Sequence, residues 1–397
     1  MQKDNLNTKN FLKTNDYTLY KPNLTFAIPH SGTIPTNFVS TDLDIEKVAG
    51  HLANLNTEVL HVIDYLTSEA TWANETAFVI EKLRIVILPL ISALIPIKLN
   101  PLMNVPNQTE RFDKYNSYFR IAEYRNMDLL QLLKEDVNLL QAILIEMQII
   151  KMDEQEIINF LRGVAIRFGT YQQILGVEVK GSNSKAKNFN SSTYIDPLLY
   201  DCRISSAFYR WFTCHWDFAI NVIHARYHYD AAGKYFANGD KKGAAEAIVK
   251  AAILIRATTA DMVFGCSMPA KTYQEFIRPS MGQGFSGNDN PQWAVFAASK
   301  KSLLAMPGIK NDEAIISAWA FFLEKYLQDI EVHTTIADKL VGERPSLIID
   351  ELNQGIPDEE KDRTSATAGL RNLHYMRLAE FSFLNSYPIL FTLFKLK

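Results

Sequence analysis

The sequence has few cysteines and no pairing pattern among them. Only three occur in 397 residues, Cys202, Cys214 and Cys266, and none belongs to a C-x-x-C pair. An odd number of thiols without such pairs excludes a disulfide framework and a zinc knuckle as the basis of the fold. We therefore expect a reducing, cytoplasmic setting, which agrees with a polar N-terminus that lacks the apolar core of a signal peptide.

The chain also lacks an excess of charge and a long apolar run. Its 41 basic and 44 acidic residues leave a formal net charge of −3, which provides no field to gather nucleic acid or an anionic membrane. The longest apolar run, 85–97, is too short to span a bilayer and is broken by Pro89 and Pro96. We expect no nucleic-acid or membrane partner, and either a monomer or a homodimer.

Helical periodicity is what the sequence does contain. Apolar residues recur at spacings of three and four over 43–69 and again over 127–150. A polar run follows at 177–197, and beyond it the same pattern predicts further helices at about 203–230, 240–264, 290–304, 312–341 and 367–395. Few segments alternate with period two, so the predicted fold class is all-α. We place a smaller N-terminal helical domain at 1–180 and a larger C-terminal one at 181–397.

Three glycines form a literal G-x-G-x-x-G, the spacing that holds a dinucleotide pyrophosphate: Gly282, Gly284 and Gly287. That motif works only when a strand leads into the glycines, and no alternating or β-branched run precedes them. Asn290 followed by Pro291 instead predicts the N-cap and first position of a helix. The glycines therefore belong to a loop that leads into a helix, either a plain surface loop or one whose backbone N–H groups face a ligand.

Two of the eight histidines lie on apolar helical faces. His333 is in register with Trp319, Phe322, Tyr326, Ile330, Ala337 and Leu340, and His215 with Phe208, Trp211, Phe212, Ala219 and Val222. Each is either a hydrogen-bonded core residue, which base rates favour, or an iron ligand. His224 and His228, four residues apart, have the spacing of a metal chelate, but the polar residues beside them favour a solvated or hydrogen-bonded face.

Three segments, in their order along the chain, resemble the haem-dependent superfamily of indoleamine and tryptophan 2,3-dioxygenases. The resemblance is strongest to the branch that contains monodechloroaminopyrrolnitrin synthase. The segments are an arginine segment followed by a Phe-Ser-Gly loop (276–296), a helix with a histidine (326–342) and a Thr/Gly-rich segment (362–377). The N-terminal stretch 24–38 also looks like the start of indoleamine dioxygenases. Together these cover about the C-terminal third of the chain and a short N-terminal patch.

The resemblance implies a haem b site in the C-terminal domain, with His333 as the proximal iron ligand and Arg278 as the holder of a substrate carboxylate. The other residues that it places around a small aromatic substrate are Phe212, Trp216, Ser286, Gly287 and Thr367. His215 is the candidate acid–base residue on the distal helix, whose register is open within one turn, so Phe212, Trp216 and Asp217 are equally candidates there.

Two departures from the family pattern affect this prediction. Asn288 stands where indoleamine dioxygenases have a second glycine, which suggests a different substrate pocket. Residues 295–302 contain no acid, so the proximal histidine is expected to donate to a backbone carbonyl or water. The predicted function is a haem b enzyme that activates dioxygen and oxygenates, cleaves or rearranges an indole-like substrate. The alternatives are a haem-binding sensor or carrier without turnover and an all-α interaction protein without a cofactor.

Overall fold

A computed structural model describes residues 21–22, 24–37, 43–68, 73–98, 109–150, 152–177, 204–282 and 289–386. Within these ranges the fold is helical, which confirms the predicted class. The long helices are α1 (Ile45–Ser68), α2 (Ala73–Leu94), α3 (Glu110–Phe119), α4 (Leu129–Met147), α5 (Glu154–Ile174), α6 (Ile204–Ala237), α7 (Lys241–Gly265), α10 (Pro291–Leu304), α11 (Glu313–Leu340) and α13 (Ala366–Glu380). Two short strands, β1 (Phe26–Pro29) and β2 (Ile121–Tyr124), pair in parallel.

Shorter helical pieces connect these elements on the side of the molecule that carries the candidate site. Between α7 and α10 the chain forms α8 (Ala270–Thr272), a π-helical turn (Tyr273–Ile277) and α9 (Arg278–Met281). A single short helix, α12 (Leu347–Leu352), lies between α11 and α13. Antiparallel pairing of Pro345 with Ser365 closes the base of the segment that contains α12.

Helix α7 lies at the centre of the bundle, where it packs against α5, α6 and α11. Its buried face is rich in alanine, including Ala244, Ala247 and Ala251. Small side chains let neighbouring helix backbones approach closely, and this explains how one helix contacts three others. The arrangement fixes α6 and α11 on two sides of α7, and these helices carry His215 and His333.

The sequence located α6, α7, α10 and α11 closely, but α13 ends at Glu380, well before the end of the helix predicted over 367–395, and parts of the N-terminal half were missed. Asn290 caps α10 through a 3.0 Å bond from the Trp293 amide, as predicted. Helix α5 was not predicted, and α2 continues through Pro89, which we expected to interrupt the run. The proline is tolerated because it lies on the exposed side with Ile85, where water can bind the carbonyl that loses its partner.

The predicted domain boundary falls in residues 178–203, outside the described ranges, and stays a prediction. The buried apolar core extends from the first helices into α6 and α7 without a break at that point. Among the described residues, no helix is both long enough and apolar enough to cross a membrane.

Candidate functional site

His215 of α6 and His333 of α11 lie close enough for a charge on His333 to affect the pKa of His215. Burial is the main reason why the pKa of His215 falls to about 3, the carbonyl of Trp211 opposes that shift, and His333 lowers the pKa further by its own charge. Burial also lowers the pKa of His333. Both side chains nevertheless keep some accessible surface. Each imidazole is therefore desolvated without being fully enclosed, and we take the region of these two side chains as the candidate site.

The tautomer of His215 follows from its surroundings. Its Nδ1 lies 2.6 Å from the carbonyl oxygen of Trp211, and a carbonyl only accepts, so Nδ1 carries the proton. The lone pair therefore lies on Nε2. Phe119 stacks on the imidazole at 3.7 Å between ring centroids, and Trp211 meets it edge-on at 4.5 Å. The ring is thus held in one orientation with the Nε2 lone pair available, as in many metal-binding or proton-accepting histidines.

An acid acts on His333 from its own helix. Asp329 lies one turn earlier, and its charge raises the pKa of His333 while burial, the largest influence, and Arg377 lower it. The Asp329 carboxylate accepts a 2.8 Å bond from Arg377 Nη1 and a 3.1 Å bond from the hydroxyl of Thr259. Asp329 was not predicted, because the resemblance to indoleamine dioxygenases places the acid near the proximal histidine within residues 295–302. The i, i+4 spacing to His333 was the signal that could have identified it.

Arg278 is already paired. Its Nη2 donates to the carbonyl oxygen of Pro345 at 2.7 Å and to Asp350 Oδ2 at 2.8 Å. The guanidinium is buried, whereas the side chain of Asp350 is 37% exposed. A ligand carboxylate would have to displace Asp350 to reach the fork, so the proposed role of Arg278 in binding substrate includes an exchange of partners.

Two of the predicted substrate residues lie behind Phe119. Phe212 is fully buried and contacts the Phe119 ring at 5.6 Å. Trp216 donates from its indole nitrogen to the carbonyl oxygen of Phe119 at 2.7 Å and stacks on Phe26 at 5.3 Å. These residues therefore support the ring that stacks on His215. Asp217 is buried in an ion pair with Arg167 at 2.7 Å, as part of a polar network between α5, α6 and α7.

Of the glycine loop after Arg278, the structure describes Gly282 at one end and the residues from 289 onward at the other. Gly282 has φ 71°, a conformation that favours glycine, and Ser286 and Gly287 lie outside the described residues. At the far end, Asn290 Nδ2 donates to the hydroxyl of Tyr115 at 3.3 Å. The Tyr115 ring lies 6.1 Å from His215. The C-terminal end of the glycine loop is therefore linked to His215 through Asn290 and Tyr115.

Thr367, at the start of α13, is buried, and its hydroxyl has no hydrogen-bond partner among the described residues. An unpaired buried hydroxyl is unfavourable and indicates a missing partner such as a ligand or water. His224 and His228 are hydrogen-bonded, to Tyr171 at 3.1 Å and Thr170 at 3.2 Å. Both are buried, so the hydrogen-bonded interpretation holds for them and the solvated one is wrong.

The two imidazoles have the chemistry that would hold a haem. Both imidazoles are neutral near pH 7 because burial lowers their pKa values, and neutral imidazole is the form that binds iron. A porphyrin supplies four ligands itself, so one or two histidines complete its coordination. In the ranges that the structure describes, no cluster of three or more His, Cys, Asp or Glu has the arrangement to hold a metal ion.

A known family model matches the chain. The family model described as SfmD 3-methyl-L-tyrosine peroxygenase matches residues 92–308, which is more than half of the chain. The matched range contains His215 and Arg278, whereas His333 and Thr367 lie beyond its end. No curated protein and no solved structure matches the chain.

Proposed function

We propose, from the premise that this chain belongs to the SfmD 3-methyl-L-tyrosine peroxygenase family, that its haem binds beside His215 and His333. The family is one of haem-dependent oxygenases that act on a small aromatic substrate, and this chain is a haem-dependent oxygenase accordingly. This location is supported by the imidazole of His215, whose Nε2 lone pair is held in one orientation, and by the proximity of His333 on a different helix.

His333 is the proposed proximal ligand of a haem b. Asp329, one turn away, makes the imidazole a better electron donor by its negative charge, and Arg377 limits that effect by neutralising part of the carboxylate. When bound, the haem supplies the iron that activates the oxygen donor. At this position the protein sets the basicity of the His333 imidazole nitrogen that would bind the iron.

His215 is the proposed acid–base residue. Its Nε2 carries the lone pair, and its Nδ1–H donates to the Trp211 carbonyl oxygen, which stabilises the ring when a second proton arrives. Nε2 takes a proton from the oxygen donor and returns it to the departing oxygen. The stacked Phe119 ring keeps the imidazole from turning away.

We propose a hydroperoxide as oxygen donor and a tyrosine-type amino acid as substrate, since the family description names a peroxygenase and 3-methyl-L-tyrosine. Arg278 then orients the substrate carboxylate after Asp350 releases it, and Thr367 offers its unpaired hydroxyl. Oxygenation of an indole with dioxygen is the second candidate, which the resemblance of residues 276–296 to indoleamine dioxygenases favours. A haem carrier without turnover would need neither the arginine nor the hydroxyl.

Haem binding tests the location directly. Purified protein reconstituted with hemin should show a Soret band that shifts when the ferrous form binds carbon monoxide, and a pyridine haemochromogen spectrum should identify type b. His333→Ala should abolish the histidine-ligated spectrum, whereas His51→Ala, at a half-buried position on α1, serves as the matched control. An unchanged spectrum in His333→Ala would assign the ligand elsewhere, with His215→Ala and His374→Ala the next variants to examine.

Turnover then separates the two substrate candidates. Reconstituted protein is mixed with L-tyrosine, 3-methyl-L-tyrosine or L-tryptophan, with hydrogen peroxide or with dioxygen and a reductant. The proposal expects a hydroxylated phenol only with peroxide. A ring-opened indole product with dioxygen would favour the second candidate, and no product from any combination would favour the carrier.

A further inference from the structure

Oxidisable rings surround His215. Trp211 meets the imidazole edge-on at 4.5 Å between centroids, and Tyr273 lies 5.8 Å beyond Trp211. On the other side Phe119 stacks on the imidazole, and Tyr118 lies 4.8 Å beyond Phe119. Tryptophan and tyrosine are the side chains that lose a single electron most readily. Rings in contact at these distances allow an electron to move between them in short steps.

One end of this set of rings reaches solvent. Tyr118 is half-buried, and the Lys21 ammonium lies 4.1 Å from the centre of its ring. The hydroxyl of Tyr118 lies 2.7 Å from Ser280 Oγ. Because Ser280 Oγ donates its own proton to the carbonyl oxygen of Ile277 at 2.7 Å, Tyr118 must be the donor in the first bond. The phenol proton therefore already has an acceptor.

We infer that Trp211, Tyr273 and Tyr118 form an electron relay that carries oxidising equivalents from the haem site at His215 to the half-buried Tyr118 when hydroperoxide is consumed without an organic substrate. The inference rests on the proposed function for the position of the haem and for the oxidant. It assigns these rings a protective task. Electrons from these side chains reduce the oxidised site, so the haem and its ligand are spared oxidative damage.

The electron balance closes with the phenols that are present. Hydrogen peroxide takes up two electrons and two protons and gives two molecules of water. Tyr118 and Tyr273 each lose one electron and one proton to form two phenoxyl radicals, and Trp211 lends an electron and recovers it from a neighbour. Burial raises the pKa of Tyr273 to about 12 and that of Tyr118 still further. Both phenols are therefore neutral, and their oxidation releases a proton.

A second aromatic cluster provides a matched control. Tyr229 of α6 contacts Trp319 at 5.7 Å and Phe322 at 5.6 Å in the interior of the bundle. Its hydroxyl is buried without a hydrogen-bond partner among the described residues, so Tyr229→Phe removes a phenol at little structural cost. The test variants Trp211→Phe and Tyr118→Phe likewise keep an aromatic ring in place.

The experiment uses haem-loaded protein, one equivalent of hydrogen peroxide and no organic substrate. Rapid freezing and electron paramagnetic resonance, with ring-deuterated tyrosine to identify phenoxyl signals, should detect a tyrosyl radical. We expect Trp211→Phe to reduce its yield severalfold and to accelerate bleaching of the Soret band, Tyr118→Phe to change its spectrum, and Tyr229→Phe to match the parent. A full radical yield in Trp211→Phe, or a radical confined to Tyr229 or to Cys214, would overturn the relay.

A second measurement separates the relay from the haem assignment. In the haem-free chain, a pulse-generated one-electron oxidant forms tryptophanyl radicals, whose decay and the rise of tyrosyl absorbance are recorded together. The relay predicts intramolecular transfer that slows severalfold in Trp211→Phe and is unchanged in Tyr229→Phe. Equal rates of intramolecular electron transfer in the parent, Trp211→Phe and Tyr229→Phe contradict the relay. Failure to bind hemin contradicts only the proposed function.

Discussion

Arg377 of α13 and Asp329 of α11 form a buried ion pair with an Nη1–Oδ2 distance of 2.8 Å, one helical turn before His333. Arg377 also donates to the carbonyl oxygen of Tyr326 and lies 3.6 Å above the ring of that residue. The pair thus joins the two helices beside the proposed iron ligand. Because both partners are buried, neither can exchange its partner for water without a large loss of free energy.

Replacing the acid tests its influence on His333. We expect Asp329→Asn to raise the reduction potential of the haem-loaded protein. The carboxylate of Asp329 stabilises the oxidised iron, and the substitution removes this stabilisation. Potentiometric titration of the Soret band measures this. Asp338→Asn, at an exposed position on the same helix, is the control. Equal potentials in the two variants would show that Asp329 serves stability alone.

The same pair has a measurable structural role. Asp329→Ala leaves the buried guanidinium of Arg377 without its counter-ion, and such losses cost about 3–5 kcal/mol. Urea unfolding of the haem-free chain should show a decrease of that order. The double variant with Arg377→Met should recover part of it, because it removes the uncompensated charge. A cost below that of an average surface substitution would contradict the burial of the pair.

Buried histidines predict a loss of stability in acid. Burial, with a contribution from Lys250, lowers the pKa of His228 from 6.5 to about 3. Between these values the unfolded chain binds a proton that the folded chain does not, so the free energy of unfolding falls as the pH decreases from about 6.5 towards 3. One such group contributes up to about 1.4 kcal/mol per pH unit.

His228→Gln should make the dependence of unfolding on pH less steep in that window. Asp136 acts in the opposite direction, since burial raises its pKa to about 6 despite Arg167. The parent chain and the variant are therefore compared at each pH by urea unfolding, so that the contribution of Asp136 cancels. Parallel curves for the two proteins would contradict the buried, neutral state of His228.

Asp350 should compete with the substrate for Arg278. If the carboxylate of an aromatic amino acid exchanges with Asp350, Asp350→Asn tightens its binding and Arg278→Lys weakens it, because lysine lacks the bidentate fork. Difference spectra of the haem-loaded protein give both dissociation constants. A carboxylate-free amine analogue provides the control and should not distinguish the variants. Equal affinity for the amino acid in all three proteins would remove Arg278 from the substrate site.

Gly265 sets the approach of α7 to α6 beside His215. A Cβ at this position would lie 2.3 Å from Cys214 Sγ and 2.8 Å from Cys214 Cβ. Gly265→Ala should therefore destabilise the chain by about 1–3 kcal/mol, as overpacking does. Combining it with Cys214→Ala should restore most of the loss in urea unfolding. If the second substitution only adds to the loss, the clash is not the cause.

Local patterns in the sequence predicted some features of the site well. The apolar face of α11 is buried as the periodicity indicated, and Asn290 caps α10. Both depend on residues within a few positions of one another. The stacking of Phe119 on His215 and the pairing of Arg278 with Asp350 join distant segments, and no local pattern encodes such contacts. The assignment of His333 to iron came from family resemblance and still awaits its experiment.

The parallel pairing of β1 with β2 has a consequence for how the chain folds. The two strands are separated by α1, α2 and α3, and Phe26 of β1 stacks on Trp216 of α6, which lies later still in the chain. Closing such long loops costs entropy that only the finished neighbours can offset. β1 is therefore held in place only once β2 and α6 are in position, and Trp216, which supports Phe119, gains its stacking partner Phe26 from a segment far away in the chain.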